Sequence, residues 1–256
     1  RVVLFQDEGH ALRDFDRRAG RIAPTLTQRK IVAGLGGTAR WNRFGTPLSL
    51  ISYEGYLDRG LAGSPAHAAR EWVAQHRELF RLSDADLSGL RLQHVLPIGD
   101  GWSVQFRQTY GGIESVVDGR ITLALDGDKL AYVSSSAAPG SPFATTPRIS
   151  ATDAVLAAAS DVDFGLRASD LTSPETDRDW TVFATEVISE PARARLRALP
   201  TPHDGIRLVY ETLLIDNDHS YGHPEAWVHF VDALTGRPLR RESRIQFEKA
   251  PEPPTW

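Results

Sequence analysis

The sequence predicts an α+β protein made of two tandem modules, each a helix laid on an antiparallel sheet, with an irregular amino-terminal extension beside them. Three observations carry that prediction. An apolar stripe of helical period runs over 64–80, the period switches to two after Leu90, and the same helix-then-strand order returns after a proline-rich stretch near 140.

In the first module, Ser64-Pro65 marks a helix start, because serine caps free amide groups and the fixed φ of proline suits the first helical position. Ala69, Trp72, Val73, His76, Leu79 and Phe80 then recur at three- and four-residue spacing and share one face. Trp102, Val104 and Phe106 alternate with Ser103, Gln105 and Arg107, the pattern of a strand with one buried side, and Gly111-Gly112 turns the chain. Ile121, Leu123 and Leu125, an Asp126-Gly127-Asp128 turn and a return over 130–133 extend the meander, so this module spans 64–137. Ahead of it, residues 1–63 read as the irregular extension, with a short strand over 2–5, a short helix over 25–35 and an extended run over 41–56.

Pro139, Gly140, Ser141, Pro142 and Pro147 disfavour regular structure and predict a connector over 138–147. The second module spans 148–247. Ser150 and Asp153 stand in the relation of a capping box, and Val155, Leu156 and Ala159 supply an apolar side, so a helix should run to about Ser160. Strands follow over 180–188 and 208–215, and a hairpin joins 227–231 to 239–247 around Asp232 and Gly236. The tail 248–256 holds three prolines in nine residues and reads as extended.

Composition narrows the function classes. With 256 residues and 41% hydrophobic side chains the chain can bury a real core. Its 33 acidic and 29 basic residues give a net charge of −4, and no run of basic residues points to nucleic acid or an acidic membrane. Cysteine is absent, which removes disulfides, thiolate metal sites and thiol nucleophiles together. Lysine occurs only at 30, 129 and 249, an arginine-rich usage suggestive of a GC-rich bacterium. No stretch approaches the ~20 apolar residues needed to span a bilayer, and a start at Arg1 without methionine fits a processed secreted precursor and equally a trimmed chain or a disordered start.

The stretch 94–136 carries a strand ending in Gln108, Tyr110 and Gly111-Gly112, followed by Val116 and the Asp118-Gly119 pair. It resembles the propeptide motif shared by fungalysin and thermolysin-type metallopeptidases. Residues 148–245, above all AWVHFVDALTGRPLRRES with Trp227, Asp232 and Gly236, are similar to the PepSY-type module that follows it in such pro-regions. Segments 39–57 and 68–87 also look like the start of bacterial fungalysin-type pro-regions. The resemblance implies cystatin-like and PepSY-like modules and a secreted pro-region that chaperones a zinc metallopeptidase domain and inhibits it until cleavage. The zinc would belong to that partner domain, with no cofactor in this segment and neither nucleic acid nor membrane as a partner. A free-standing secreted inhibitor without an attached enzyme is the alternative.

Catalysis by the chain itself is not expected. Thermolysin-like chemistry needs H-E-x-x-H on a helix, with two zinc ligands and a glutamate that activates water, and none of the eight histidines sits in that motif. The densest set of metal-ligating side chains is Asp216-Asn217-Asp218-His219-Ser220-Tyr221-Gly222-His223. His219 and His223 would share a face only on a helix, and Gly222 and Pro224 predict a loop instead, so they are weak candidates. Gly34-Leu35-Gly36-Gly37 matches no phosphate-loop spacing and reads as a helix terminator, while Asp84/Asp86 and Asp216/Asp218 read as solvated loop pairs. For Gln108, Tyr110 and Gly112 the structural reading has Tyr110 packed under the turn and Gln108 bonded to backbone; the functional reading makes this sheet edge a protease contact.

Overall fold

The fold is described from a computed structural model, over residues 12–217 and 224–245. It is α+β, with two antiparallel sheets and few helices. The expected strand over 2–5 and the extended tail over 248–256 lie outside the described residues.

One compact unit comprises Arg18–Pro147 together with Arg197–Val209. It opens with α1 (Leu26–Gly34), capped by Thr25, whose hydroxyl accepts from the Gln28 N–H while the Gln28 side chain accepts from the Thr25 N–H. Strands β2 (Thr38–Trp41) and β3 (Pro47–Ile51) precede α2 (Pro65–Gln75), a 3-10 turn (Arg77–Phe80) and α3 (Asp84–Ser88). Then come β4 (Leu90–Ile98), β5 (Gly101–Tyr110), the two-residue β6 (Ile113–Glu114), β7 (Arg120–Asp126) and β8 (Lys129–Ser135). The sheet order is β2-β3-β8-β7-β5-β4, with β6 paired to β5.

The boundary expected at residue 64 is therefore absent. Residues 38–51 supply two strands of the first sheet, because Leu50 and Ile51 pair with Val133 and Tyr132 of β8, and the amino-terminal segment from Arg18 belongs to the same unit. The helical stripe also differs at one point. Ala69, Trp72, Val73, Leu79 and Phe80 enter the core beside Leu50, Val104, Phe106, Ile121, Leu123 and Val133, whereas His76 is half-buried and stacks on the Trp72 ring at 4.2 Å. Burying each large side chain of this set stabilises the unit by ~1.5–3 kcal/mol against exposure.

The other unit is formed by the described parts of Arg1–Arg17, Arg148–Leu196 and Tyr210–Trp256. Its helix α4 (Ala151–Asp161) carries the expected capping box, with the Ser150 hydroxyl accepting from the Asp153 N–H and the Asp153 carboxylate accepting from the Ser150 N–H. Strands β1 (Phe15–Asp16), β9 (Thr172–Asp177), β10 (Trp180–Ala184), β11 (Ala192–Pro200), β12 (Ile206–Asp216), β13 (Glu225–Asp232) and β14 (Pro238–Ser243) form a sheet in the order β1-β14-β13-β12-β11-β10-β9, the parts of β11 and β12 within 197–209 being counted with the first unit. Strands β9 and β11 were not anticipated. Six exposed residues of β9 give no alternation, and β11 reads ARARLRALP, where alanine and arginine mask the period.

Candidate functional site

The motif residues of the first unit gather around one irregular strap, 136–142, which runs into the connector expected over 138–147. The strap is not a free linker. Gln108 is fully buried, and its side-chain amide pairs with the backbone of Ala138 in both directions: Nε2 donates to the Ala138 carbonyl at 2.8 Å and Oε1 accepts from the Ala138 N–H at 3.0 Å. A side chain here completes the ladder that a strand would otherwise form. The Tyr110 hydroxyl donates to the same carbonyl at 3.0 Å, and its ring packs with Ala198, Ile206, Ile113 and Phe143. Burial, reinforced by the charges of Asp86 and Asp118, pushes the Tyr110 phenol far above its ordinary pKa, so it stays a neutral donor.

Further along the strap, the Gly140 N–H donates to Asp86 at 3.3 Å, and the Ser141 hydroxyl accepts from the Ile206 N–H at 2.9 Å. A side chain on Gly140 would collide with the Asp86 carboxylate, which explains glycine there. Asp86 was expected to be solvated beside Asp84. It is buried instead, because the same carboxylate caps α3 through Ser83 at 2.9 and 2.7 Å. Asp216 is likewise buried.

The remaining motif residues hold the loop after β6. The Val116 N–H donates to the Ala198 carbonyl at 2.9 Å, and Asp118 accepts from Arg18 at 2.6 Å. Between them the Asp118 N–H closes back on the Val116 carbonyl at 2.7 Å across Val117, whose φ is +68°. A β-branched residue in a three-residue turn of that hand is strained, and the bonds on either side hold it there. Gly119 has φ +85°, and a Cβ on it would stand 2.5 Å from the Ser115 hydroxyl, so no other residue fits. Gly111 and Gly112 make the left-handed turn after β5. All seven motif positions are thus used internally. Sequence reasoning missed Arg18, Asp86, Ser141 and Val117, which reach this site from distant or irregular segments.

In the other unit, Trp227 and Asp232 are buried on β13. Asp232 accepts from the Leu234 and Thr235 amides at 3.0 and 2.9 Å, and the Gly236 N–H, at φ +75°, donates to the Asp232 carbonyl at 2.8 Å, which closes the hairpin. Beside Trp227 lies a cluster that the sequence did not single out. His229 is fully buried, and its Nε2 lies 3.2 Å from the Asp161 carboxylate at the end of α4. Arg241 donates to the same carboxylate at 2.8 Å and to the Arg13 carbonyl at 2.7 Å. His229 Nδ1 and Arg241 Nε have no hydrogen-bond partner among the described residues. Burial lowers the His229 pKa to about 4, opposed by Asp161 and reinforced by Arg241, so the ring is neutral near pH 7.

Among the described residues no three His, Asp or Glu side chains are placed to hold a metal ion, and no helix is long and apolar enough to cross a membrane. His219 and His223 lie outside the described residues. No protein-family model matches the chain, and no curated protein matches its sequence. Among solved structures, the C-terminal domain of YpeB from Bacillus megaterium is similar at 12% identity and a TM-score of 0.34, over 88% of this chain and 99% of that one.

Proposed function

We propose that the chain is the pro-region of a secreted zinc metallopeptidase of the fungalysin type, assisting the folding of the catalytic domain and covering its cleft until proteolysis removes it. The observation that carries this reading is the use made of the propeptide-type motif. Gln108, Tyr110, Val116, Asp118 and Gly119 form one tie that fixes the strap and the loop after β6, and Gly111 and Gly112 make the turn that leads into that loop. A motif consumed in internal bonding specifies a rigid scaffold rather than a set of reacting groups.

A scaffold that binds only the native state of a second domain stabilises that state by mass action, and the same contact excludes substrate from the cleft. The metal and the activated water belong to the partner domain, since the sequence has no H-E-x-x-H. The purified chain, added in trans to the mature peptidase, should inhibit peptide hydrolysis and raise the yield of active enzyme on refolding. Peptidase activity of the chain itself, or no effect in either assay at concentrations well above micromolar, would sink the reading. Sequencing the gene beyond Trp256 separates the pro-region from a free-standing inhibitor.

A further inference from the structure

We infer that the pro-region docks on its catalytic domain through the helix-free face of its first sheet, and that the partner surface facing it is acidic; the inference rests on the pro-region reading above. The core face of that sheet carries Leu50, Val133, Leu123 and Val104 beneath α2. Residues directly opposite in an antiparallel ladder share a face, so the register fixes what the other side presents. One row runs Arg40, Ser49, Ser134, Thr122, Gln105 and His94. The next places Arg120, Arg107 and Arg91 side by side on β7, β5 and β4.

That arginine row is invisible along the chain, where its members are more than ten positions apart. Like charges set opposite one another on a sheet repel, and the fold tolerates this at Arg91 and Arg120, which are exposed and whose guanidinium groups have no ion pair or hydrogen bond among the described residues. Arg107, between them, reaches Glu114 at 3.7 Å and the Asp118 carbonyl at 3.4 Å. The face is therefore positive on a chain whose net charge is −4, and an acidic partner complements it. Leu96 and Ile98 lie exposed on the same face beside His94, at 56% and 59% accessibility. Apolar anchors beside arginines, around small polar residues, are the composition of a protein interface. A polyanion site would continue the positive charge instead.

The test is the double charge reversal Arg91→Glu/Arg120→Glu, compared with Arg29→Glu/Lys30→Glu on α1, an equal charge change at exposed positions outside the face. Inhibition and direct binding are measured against the mature cognate peptidase over a range of salt. The first variant should lose about tenfold or more in affinity at low salt, a gap that narrows as salt screens it, while the control stays within about twofold of wild type. Its melting temperature should not fall, since each new glutamate stands opposite or beside Arg107. A well-folded first variant that binds as wild type overturns the docking face while leaving the pro-region reading intact. A wild-type chain that neither inhibits nor binds overturns both. Binding to a short DNA duplex that the first variant loses in parallel would make the face a polyanion site and also overturn the inference.

Discussion

Two buried polar clusters, one in each unit, solve the same problem differently. Around Ala138 the groups are neutral and paired: Gln108 satisfies both the N–H and the carbonyl, and Tyr110 shares the carbonyl. Around Asp161 the groups are ionic, and a single carboxylate serves both His229 and Arg241 while His229 Nδ1 is left without a partner among the described residues. A neutral, satisfied tie is indifferent to pH. A buried histidine beside a guanidinium is not, because its protonation would add a second cation where one carboxylate already serves the first.

The largest expected effect breaks the neutral tie. Tyr110→Ala should lower stability by about 3–4 kcal/mol, from the cavity left among Ala198, Ile206 and Phe143 and the lost bond to Ala138. Urea denaturation followed by tryptophan fluorescence measures it. If the midpoint is unchanged while inhibition disappears, Tyr110 is a contact residue and the internal role assigned to the motif is wrong.

The next effect tests the ionic cluster. The folded-state pKa of His229, about 4, lies below the ordinary 6.5, so between those values the unfolded chain binds more protons than the folded one. Its contribution is complete above about pH 6.5 and is lost as pH falls toward 4. His229→Leu removes the titrating group and leaves Asp161 bonded to Arg241. The difference between wild-type and variant stability curves should therefore rise with pH across that window, and a flat difference would contradict the assignment.

Gln108→Ala should cost about 2 kcal/mol, since it strands the buried Ala138 N–H while the carbonyl keeps Tyr110. Tyr110→Phe should cost only about 1 kcal/mol, because Gln108 still satisfies that carbonyl. Thermal melts of the two variants rank them, and the reverse order would mean that Tyr110 rather than Gln108 holds the strap.

Much of this was legible along the chain. The Ser150/Asp153 capping box, the helix beginning after Ser64, the Gly111-Gly112 turn and the alternation of Val104 and Phe106 depend on residues within a few positions of one another, where spacing and φ preference speak directly. The motif residues around Gln108 could also be found, by resemblance. Their bonding to a strap read as a linker could not.

The sequence by itself determined the helices that begin after Ser64 and Ser150, the alternating strands β5 and β7 and the turns between them, because there local sterics and an unbroken hydrophobic period decide; where the period is masked, as in β9 and β11, it did not. Tertiary structure alone decided which segments meet. It joined residues 38–51 to β8, gave the 136–142 strap to Gln108 across 30 positions, and set Asp161 against His229 and Arg241 across 68 and 80. It also aligned Arg91, Arg107 and Arg120 into one row. Backbone hydrogen bonds are alike at every residue, so local spacing cannot name a strand's partner. That choice is made by the packing of the whole core, and it carries into the core or onto one face every side chain that the local pattern leaves unexplained.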